Sequence, residues 1–236
     1  MYYEPRVHVL PHGSSSPSRM ALVARRLGFS GIIVMSINGS GGLQGLDAAH
    51  RIGGISLAIG VEVTSKDPRS LRGRISALRD RYPFLAVHAT NESLLREALD
   101  DPRVDLVVNS GFRLTVPEAR SAKRNQVALA IDLQPMIRLR GASRSRWLDL
   151  QRYNVRVARK FGISLMITAS PRSHLDLRAP RDMIAMAHIL GITREEALDA
   201  LRLPGRILEM NQRRWASPGV EVLEERANYL KRDGGI

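Results

Sequence analysis

The sequence predicts an α/β protein: a single TIM-barrel-like (β/α) barrel of about seven to eight parallel strands wrapped in outer helices. Three observations predict it. Runs such as GIIVMSI, VDLVV, VALAIDL and SLMITA are almost continuously apolar rather than alternating, as parallel strands buried on both faces require. Each run gives way to a segment of helical period, so strand and helix take turns along the chain. These units fill the 236 residues without a linker, internal repeat or low-complexity block, which favours one nearly closed barrel over residues 1–236. A chain of this length buries roughly 70–75% of its unfolded surface, so one core suffices.

Each element has a local reason. The first strand is expected at Arg6–Leu10. Ser14–Ser16 supply caps and Pro17 a first-turn residue for a helix over Pro17–Leu27, which Gly28 stops. Strand Gly31–Ile37 leads through the glycine-rich SINGSGGLQG to a helix over Leu43–Arg51. Strand Ile55–Thr64 precedes Asp67 and Pro68, the cap and first turn of Pro68–Arg81. Strands Phe84–His88, Val104–Val108 and Val127–Leu133 precede helices at Asn91–Leu99, Val116–Lys123 and Ser143–Phe161, the last after an Arg-rich connection. Ser164–Ala169 is the last clear strand. Ala179–Pro180 opens a helix over Arg181–Leu190, closed by Gly191. Thr193 and Glu196 have capping-box spacing for TREEALDAL, and a final helix follows at Pro204–Arg214. The mixed-charge tail, residues 217–236, is expected to be peripheral.

The charge is the unusual property. The hydrophobic fraction of 44% is ordinary, but the net charge is +13 and the pI about 11.1. Four of the 36 basic residues are Lys, and the rest are Arg, whose planar fork matches phosphate. A GC-rich genome or thermophily accounts for Arg over Lys, but not for clustering. Gln134–Arg181 holds eleven basic residues against two acidic ones, Asp149 and Asp176. Core-type segments interrupt these charges, so a folded scaffold presents them to a polyanion, most commonly RNA or DNA. Arg138, Arg140, Arg144 and Arg146 crowd a connection and helix start, where the helix dipole already favours anions. Arg172, Arg178 and Arg181 flank the loop after the last strand. These seven are the candidate RNA-binding residues. Arg152, Arg156, Arg159 and Lys160 share a helix face that is either part of this surface or simply solvated. Trp147 and Tyr153 are the only plausible stacking partners in the segment, which points to backbone and shape recognition of structured RNA.

Other chemistry is thinner. The absence of cysteine excludes disulfides, thiolate metal sites and Cys nucleophiles. No run approaches 18 apolar residues and MYYEPRVHV lacks a signal pattern, so a cytoplasmic protein with no membrane contact is expected. The six histidines include no His-x-His pair, and Pro11 breaks any helix that would align His8 with His12. His88 sits in a strand, and His188 reads as a packed, hydrogen-bonded residue. Further strand-end candidates are His12, Asn38, Asn109 and the Ser170–Arg178 loop. Glu62 is a carboxylate in an apolar strand, so either a local cation satisfies it or a function retains it. Asp132 reads similarly, as the partner that orients an Arg. SINGSGGLQG matches no nucleotide-binding fingerprint. No Gly-x-Ser-x-Gly elbow is present, and no Ser/His/Asp trio can be assembled from sequence.

The run ALAIDLQPMIR, the Arg-rich helix ending ARKFGI, and LMITASPRSHLDLRAPRDMIAMAHILGI resemble ribonuclease P protein component 3. The resemblance is most specific at Leu177–Ile184, with Thr168 and Ala169 upstream and Gly191 downstream, and GVEV at Gly60–Val63 also suits the family. It implies a barrel related to the PHP phosphoesterases, which use a His-x-His after the first strand with further His and carboxylate ligands. Here the equivalent stretch is VHVLPHG, without the pair, leaving Glu62 as the ligand position implied to be inherited. The resemblance therefore implies a protein that binds ribonuclease P RNA and precursor tRNA, with no catalytic residue, metal or cofactor of its own. The RNA subunit would use Mg2+ to remove the 5′ leader. Component 2 and the other protein components of the enzyme are the implied protein partners, the first as a heterodimer or a dimer of heterodimers. The alternatives are a stand-alone PHP-type phosphoesterase, with Glu62, His12, His88 and Asp132 as ligands, and a DNA-binding barrel.

Overall fold

Residues 1–41, 44–212, 215–217 and 220–221 are described by the computed structural model. Seven strands, β1 (Tyr3–Val7), β2 (Gly31–Ile37), β3 (Ser56–Val63), β4 (Leu85–Ala89), β5 (Leu106–Asn109), β6 (Ala128–Asp132) and β7 (Leu165–Thr168), pair in parallel in sequence order. The connecting helices are α1 (Pro17–Arg26), α2 (Leu46–His50), α3 (Pro68–Arg79), α4 (Glu92–Asp100), α5 (Val116–Arg124), α6 (Gln134–Arg138), α7 (Gly141–Phe161), α8 (Pro180–Ile189) and α9 (Arg194–Gln212). A small antiparallel pair, β8 (Trp215–Ser217) with β9 (Val220–Glu221), follows. The predicted caps form: Ser16 accepts from Arg19 N, Asp67 from Ser70 N, and Thr193 and Glu196 bond reciprocally.

The sheet is buried on both faces, which is why its strands read as unbroken apolar runs. Alternate positions, among them Ile33, Met35, Ala58, Ala86, Leu106, Val108, Ala128, Ala130 and Met166, form one inner cluster that includes Leu208 of α9. The interior leaves little space. A Cβ on Gly60 of β3 would lie 2.8 Å from Met35 Sδ and 3.1 Å from the Phe84 carbonyl oxygen. Gly60→Val is therefore expected to cost about 1–3 kcal/mol by overpacking, measured by urea unfolding.

The barrel closes without a ladder between its end strands. Pro5 in β1 has no N–H to donate. Instead the Glu4 carboxylate reaches across the seam and accepts from Thr168 Oγ1 and, at 3.0 Å, from Ala169 N. Just beyond the strands, His8 N donates to the Pro171 carbonyl at 2.9 Å.

Several expected boundaries move. The first strand runs over Tyr3–Val7 rather than Arg6–Leu10, because its ladder to β2 ends at Val7 and His8 turns to the β7 loop. The α2 helix is shorter than expected and begins after Gly45, whose φ is +78°. The Arg-rich connection contains a helical turn, α6, and the long helix starts at Gly141. The two final helices are one, α9, with Pro204 inside it. An interior proline costs roughly 3 kcal/mol. Ala197, Ala200, Leu201, Pro204 and Leu208 keep a single buried stripe against the barrel, and two buried leucines at about 1.5–3 kcal/mol each offset that cost. Most of the 217–236 tail lies outside the described residues.

Candidate nucleic-acid interface and barrel mouth

Functional groups of a parallel barrel gather where the strands end, and here the first strand dominates that end. Glu4 and Arg6 alternate along it and His8 keeps the alternation one residue beyond its end, so all three face inward. Arg6 is 4% exposed. Its Nε and Nη2 donate to the two Glu62 oxygens at 2.7 and 2.9 Å, and its Nη1 donates to Asp132 Oδ2 at 3.3 Å and Ser170 Oγ at 2.8 Å. His8 Nε2 lies 3.1 Å from Glu62 Oε2, while its Nδ1 is buried with no hydrogen-bond partner among the described residues. His88 Nε2 lies 2.6 Å from Ser110 Oγ, with its Nδ1 3.6 Å from Glu62 Oε1. The latter distance is too long for a hydrogen bond, so Ser110, His88 and Glu62 are not joined in one hydrogen-bonded chain.

Burial drives the ionisation at this end. It raises Glu62, but the Arg6 charge and the bonds from His8 and Arg6 outweigh it and hold the carboxyl well below its usual range. Burial, followed by the Arg6 charge, lowers His88 and favours the neutral ring. Burial pushes Glu4 up to about 7 despite the bonds from Thr168, Ala169 and Arg6. The two carboxylates act on stability with opposite signs. Glu62 contributes stability that is present above pH 4.5 and lost as pH falls below it. Glu4 contributes stability that is full below pH 4.5 and lost as pH rises through about 7. Glu4→Gln is expected to remove the decline between these values and leave the acid limb intact. Urea unfolding across pH 4–8 checks this, and a wild-type decline in the variant contradicts it.

The seven arginines of the predicted RNA surface flank this mouth, on the connections that follow β6 and β7. Arg138 Nη2 lies 3.5 Å from Asp176 Oδ1, tying α6 to the β7–α8 loop, so the two basic groups are neighbours. Asp176 is more than a lone acid in a basic segment: it accepts from the Arg172 and Ser173 amides and shapes that loop. Arg140, Arg146 and Arg172 are exposed. Arg181 is 93% exposed and 3.7 Å from Asp182. Arg144 donates to Leu139 O, and Arg178 donates to the Leu175 and Leu177 carbonyls, so these two also brace their own loops.

On the α7 face, Arg159 pairs with Glu196 at 2.7 Å, and Arg152 bonds Ile189 O and lies 3.7 Å from Asp149. These two serve helix packing, while Arg156 and Lys160 stay exposed. Neither stacking candidate offers a free ring: Trp147 packs against the core, and Arg113 lies over Tyr153 at 5.0 Å. Asn38 ties the end of β2 to Thr64 after β3, and Asn109 forms a local turn with Phe112. His12 contacts Ser40 O, and His188 sits exposed rather than packed, with Nδ1 3.3 Å from Ile192 O.

The Asp132 expectation holds in kind: it orients an arginine, but one from β1 rather than from the basic segment. Arg6 and Glu4 are missing from the sequence candidates. Their signal is the alternation Glu4–Arg6–His8 among apolar neighbours, a polar inward face on a first strand.

Fold and site together define a class: a parallel (β/α) barrel whose strand-end polar site is filled by its own arginine, with a cationic surface on adjoining loops. The chain belongs to the family described as RNase P subunit p30, which matches residues 1–216. It is 33% identical to "Ribonuclease P protein component 3" of Methanosarcina barkeri over 232 residues, covering 95% of this chain and 96% of that protein. It is 29% identical to the protein of the same name from Methanothermobacter thermautotrophicus, covering 92% and 94%. A chain in an archaeal ribonuclease P structure with mature tRNA superposes with a TM-score of 0.80 at 16% identity, covering 94% of this chain and 99% of that one. A Lactococcus lactis histidinol phosphate phosphatase, solved with Zn, L-histidinol and phosphate, shares the fold at a TM-score of 0.53 and 15% identity, covering 83% and 93%. The metal of such a hydrolase does not fit the side chains here as they stand. Arg6 takes the Glu62 and Asp132 oxygens, and among the described residues no three His, Asp or Glu side chains are placed to share an ion.

Proposed function

We propose that this chain is an RNA-binding protein subunit of ribonuclease P that helps the catalytic RNA remove the 5′ leader from precursor tRNA. The observation that carries this reading is the placement of Arg138, Arg140, Arg144 and Arg146 on the connection that follows β6 and of Arg172, Arg178 and Arg181 on the one that follows β7, with Arg138 3.5 Å from Asp176 of the second. Family membership and the names of the relatives support it. The exposed arginines neutralise RNA phosphates, and Arg144 and Arg178 hold the loops that present them. The partners in this reading are ribonuclease P RNA, precursor tRNA, component 2 and the other protein components. The chain holds no cofactor of its own, and Mg2+ serves the RNA. Its place is the cytoplasm, with its RNA; among the described residues no helix is long and apolar enough to cross a membrane.

A stand-alone phosphoesterase is disfavoured because Arg6 engages the carboxylates such an enzyme would give to metal. Arg181→Ala tests the RNA role in isolation, since that side chain is 93% exposed and its ion pair is with its own neighbour, Asp182. The expected result is weaker activation of the RNA with an unchanged unfolding midpoint. Unchanged activation by folded variants at Arg140, Arg172 and Arg181 together would count against the assignment.

A further inference from the structure

We propose that the outer wall between α5 and α7 is a second RNA-contact strip, separate from the mouth loops. It takes a phosphate backbone in the groove between the two helices. The proposal rests on the subunit reading and adds a surface to it. Its cations are Arg113 on the loop before α5, Arg120 and Lys123 on α5, and Arg156 and Lys160 on α7, all exposed. From Phe112 to Lys123 the one acid is Glu118, which is 4% exposed and accepts from Thr115 N in the capping box. From Leu150 to Phe161 there is no acid.

The fold sets these five cations along one groove. Asn154 of α7 accepts from Leu114 N at 2.9 Å and donates to Phe112 O at 3.0 Å, which fixes α7 against the loop before α5. At that end Arg113 lies over the Tyr153 ring at 5.0 Å. At the other, a Cβ on Gly162, just after α7, would stand 3.5 Å from Lys123 Nζ. The far flank of α5 is engaged elsewhere, since Ser121 and Arg124 donate to Asp100 of α4. Val116, Arg120 and Lys123, spaced at i, i+4 and i+7, share the flank toward α7. On α7, Arg152 and Arg159 turn to Ile189 O and Glu196, and Tyr153 turns to Leu114 O. Arg156 and Lys160 lie on the arc between them.

A solvated face is the ordinary fate of helical charge, but the neighbouring walls show how this protein neutralises its helices. Between α3 and α4, Arg72 takes both oxygens of Glu97. Between α4 and α5, Arg124 pairs with Asp100, and between α7 and α9, Arg159 takes both oxygens of Glu196. On the α5–α7 wall none of the five cations has a carboxylate partner among the described residues. Arg156 and Lys160 stand at i, i+4, where like charges repel, and a polyanion along the groove offsets that repulsion. Of the exposed large apolar side chains among the described residues, only Val116 lies on this wall, too little to form the core of a protein interface. With Arg113 over the Tyr153 ring, the contact is with backbone rather than with stacked bases.

The test measures affinity for folded ribonuclease P RNA across a salt series. It compares wild type, the wall triple Arg113→Gln/Arg120→Gln/Arg156→Gln, the mouth triple Arg140→Gln/Arg146→Gln/Arg172→Gln, and all six changes together. The expected result is a folded wall triple whose slope of log K against log salt is lower by roughly 0.7–0.9 for each phosphate no longer neutralised, with a further fall in the combination. If loss of Arg113 from Tyr153 unfolds the loop, Arg120→Gln/Arg156→Gln carries the same expectation. Wild-type affinity and slope in a folded wall variant overturn the proposal. A weakened mouth triple in that series leaves the subunit reading standing, and an unaltered one contradicts that reading as well. Wild-type RNA binding combined with lost association with component 2 also overturns the proposal, and gives the wall to a protein.

Discussion

Glu62→Ala is expected to lower the unfolding free energy by about 3–5 kcal/mol at pH 7, read by urea unfolding. The loss exceeds that of an ordinary buried contact because the variant strands Arg6. The Arg6 side chain is 5% exposed, and Asp132 at 3.3 Å is then its only carboxylate bridge among the described residues. A buried ion pair adds little net stability over a well-packed apolar pair, whereas half of one is costly. Arg6→Met/Glu62→Leu is accordingly expected to be closer to wild type than either single change. A loss under about 1 kcal/mol for Glu62→Ala would contradict the role of the pair in holding β1 against β3.

The second large effect concerns salt. Arg140→Gln, Arg146→Gln and Arg172→Gln combined are expected to weaken binding to folded ribonuclease P RNA and to flatten its salt dependence. For every phosphate no longer neutralised by an arginine, the slope of log K against log salt falls by roughly 0.7–0.9. These three positions are chosen because their side chains are exposed, so the fold should persist. Arg178 is a poorer probe: it braces the Leu175 and Leu177 carbonyls, and its loss would also disturb the loop. Equal slopes for wild type and the folded triple variant would move the RNA-binding surface to another face. Comparison with duplex DNA at the same salt separates shape recognition from bare charge attraction.

Most of the barrel is legible in the sequence because double-faced burial leaves continuous apolar runs with capped helices between them. Where the physics departs from that pattern, the reading slips. The first strand carries Glu4 and Arg6 on its inner face, so its apolar signal begins late and the expected strand starts at Arg6. The final helix breaks in the reading at Pro204, since a local rule cannot weigh the buried stripe that holds the helix together. The clustering of arginines is visible in composition, but their division of labour is not: Arg159 and Arg152 serve packing, while Arg140 and Arg172 face solvent. Glu62 stands out as an anomaly in its strand, yet its partner lies 56 residues away on β1. Only the folded sheet, with β1 and β6 on either side of the seam strand β7, brings Arg6, Glu62 and Asp132 to one point.

Cleavage of precursor tRNA by the cognate ribonuclease P RNA, with and without this chain and component 2, tests the subunit role most directly. Protein-only controls would contain divalent metal. The result expected is leader removal that requires the RNA and is stimulated by the proteins, with both protein-only controls inert. Cleavage by this chain alone, or no stimulation of the RNA by the folded pair, would contradict it.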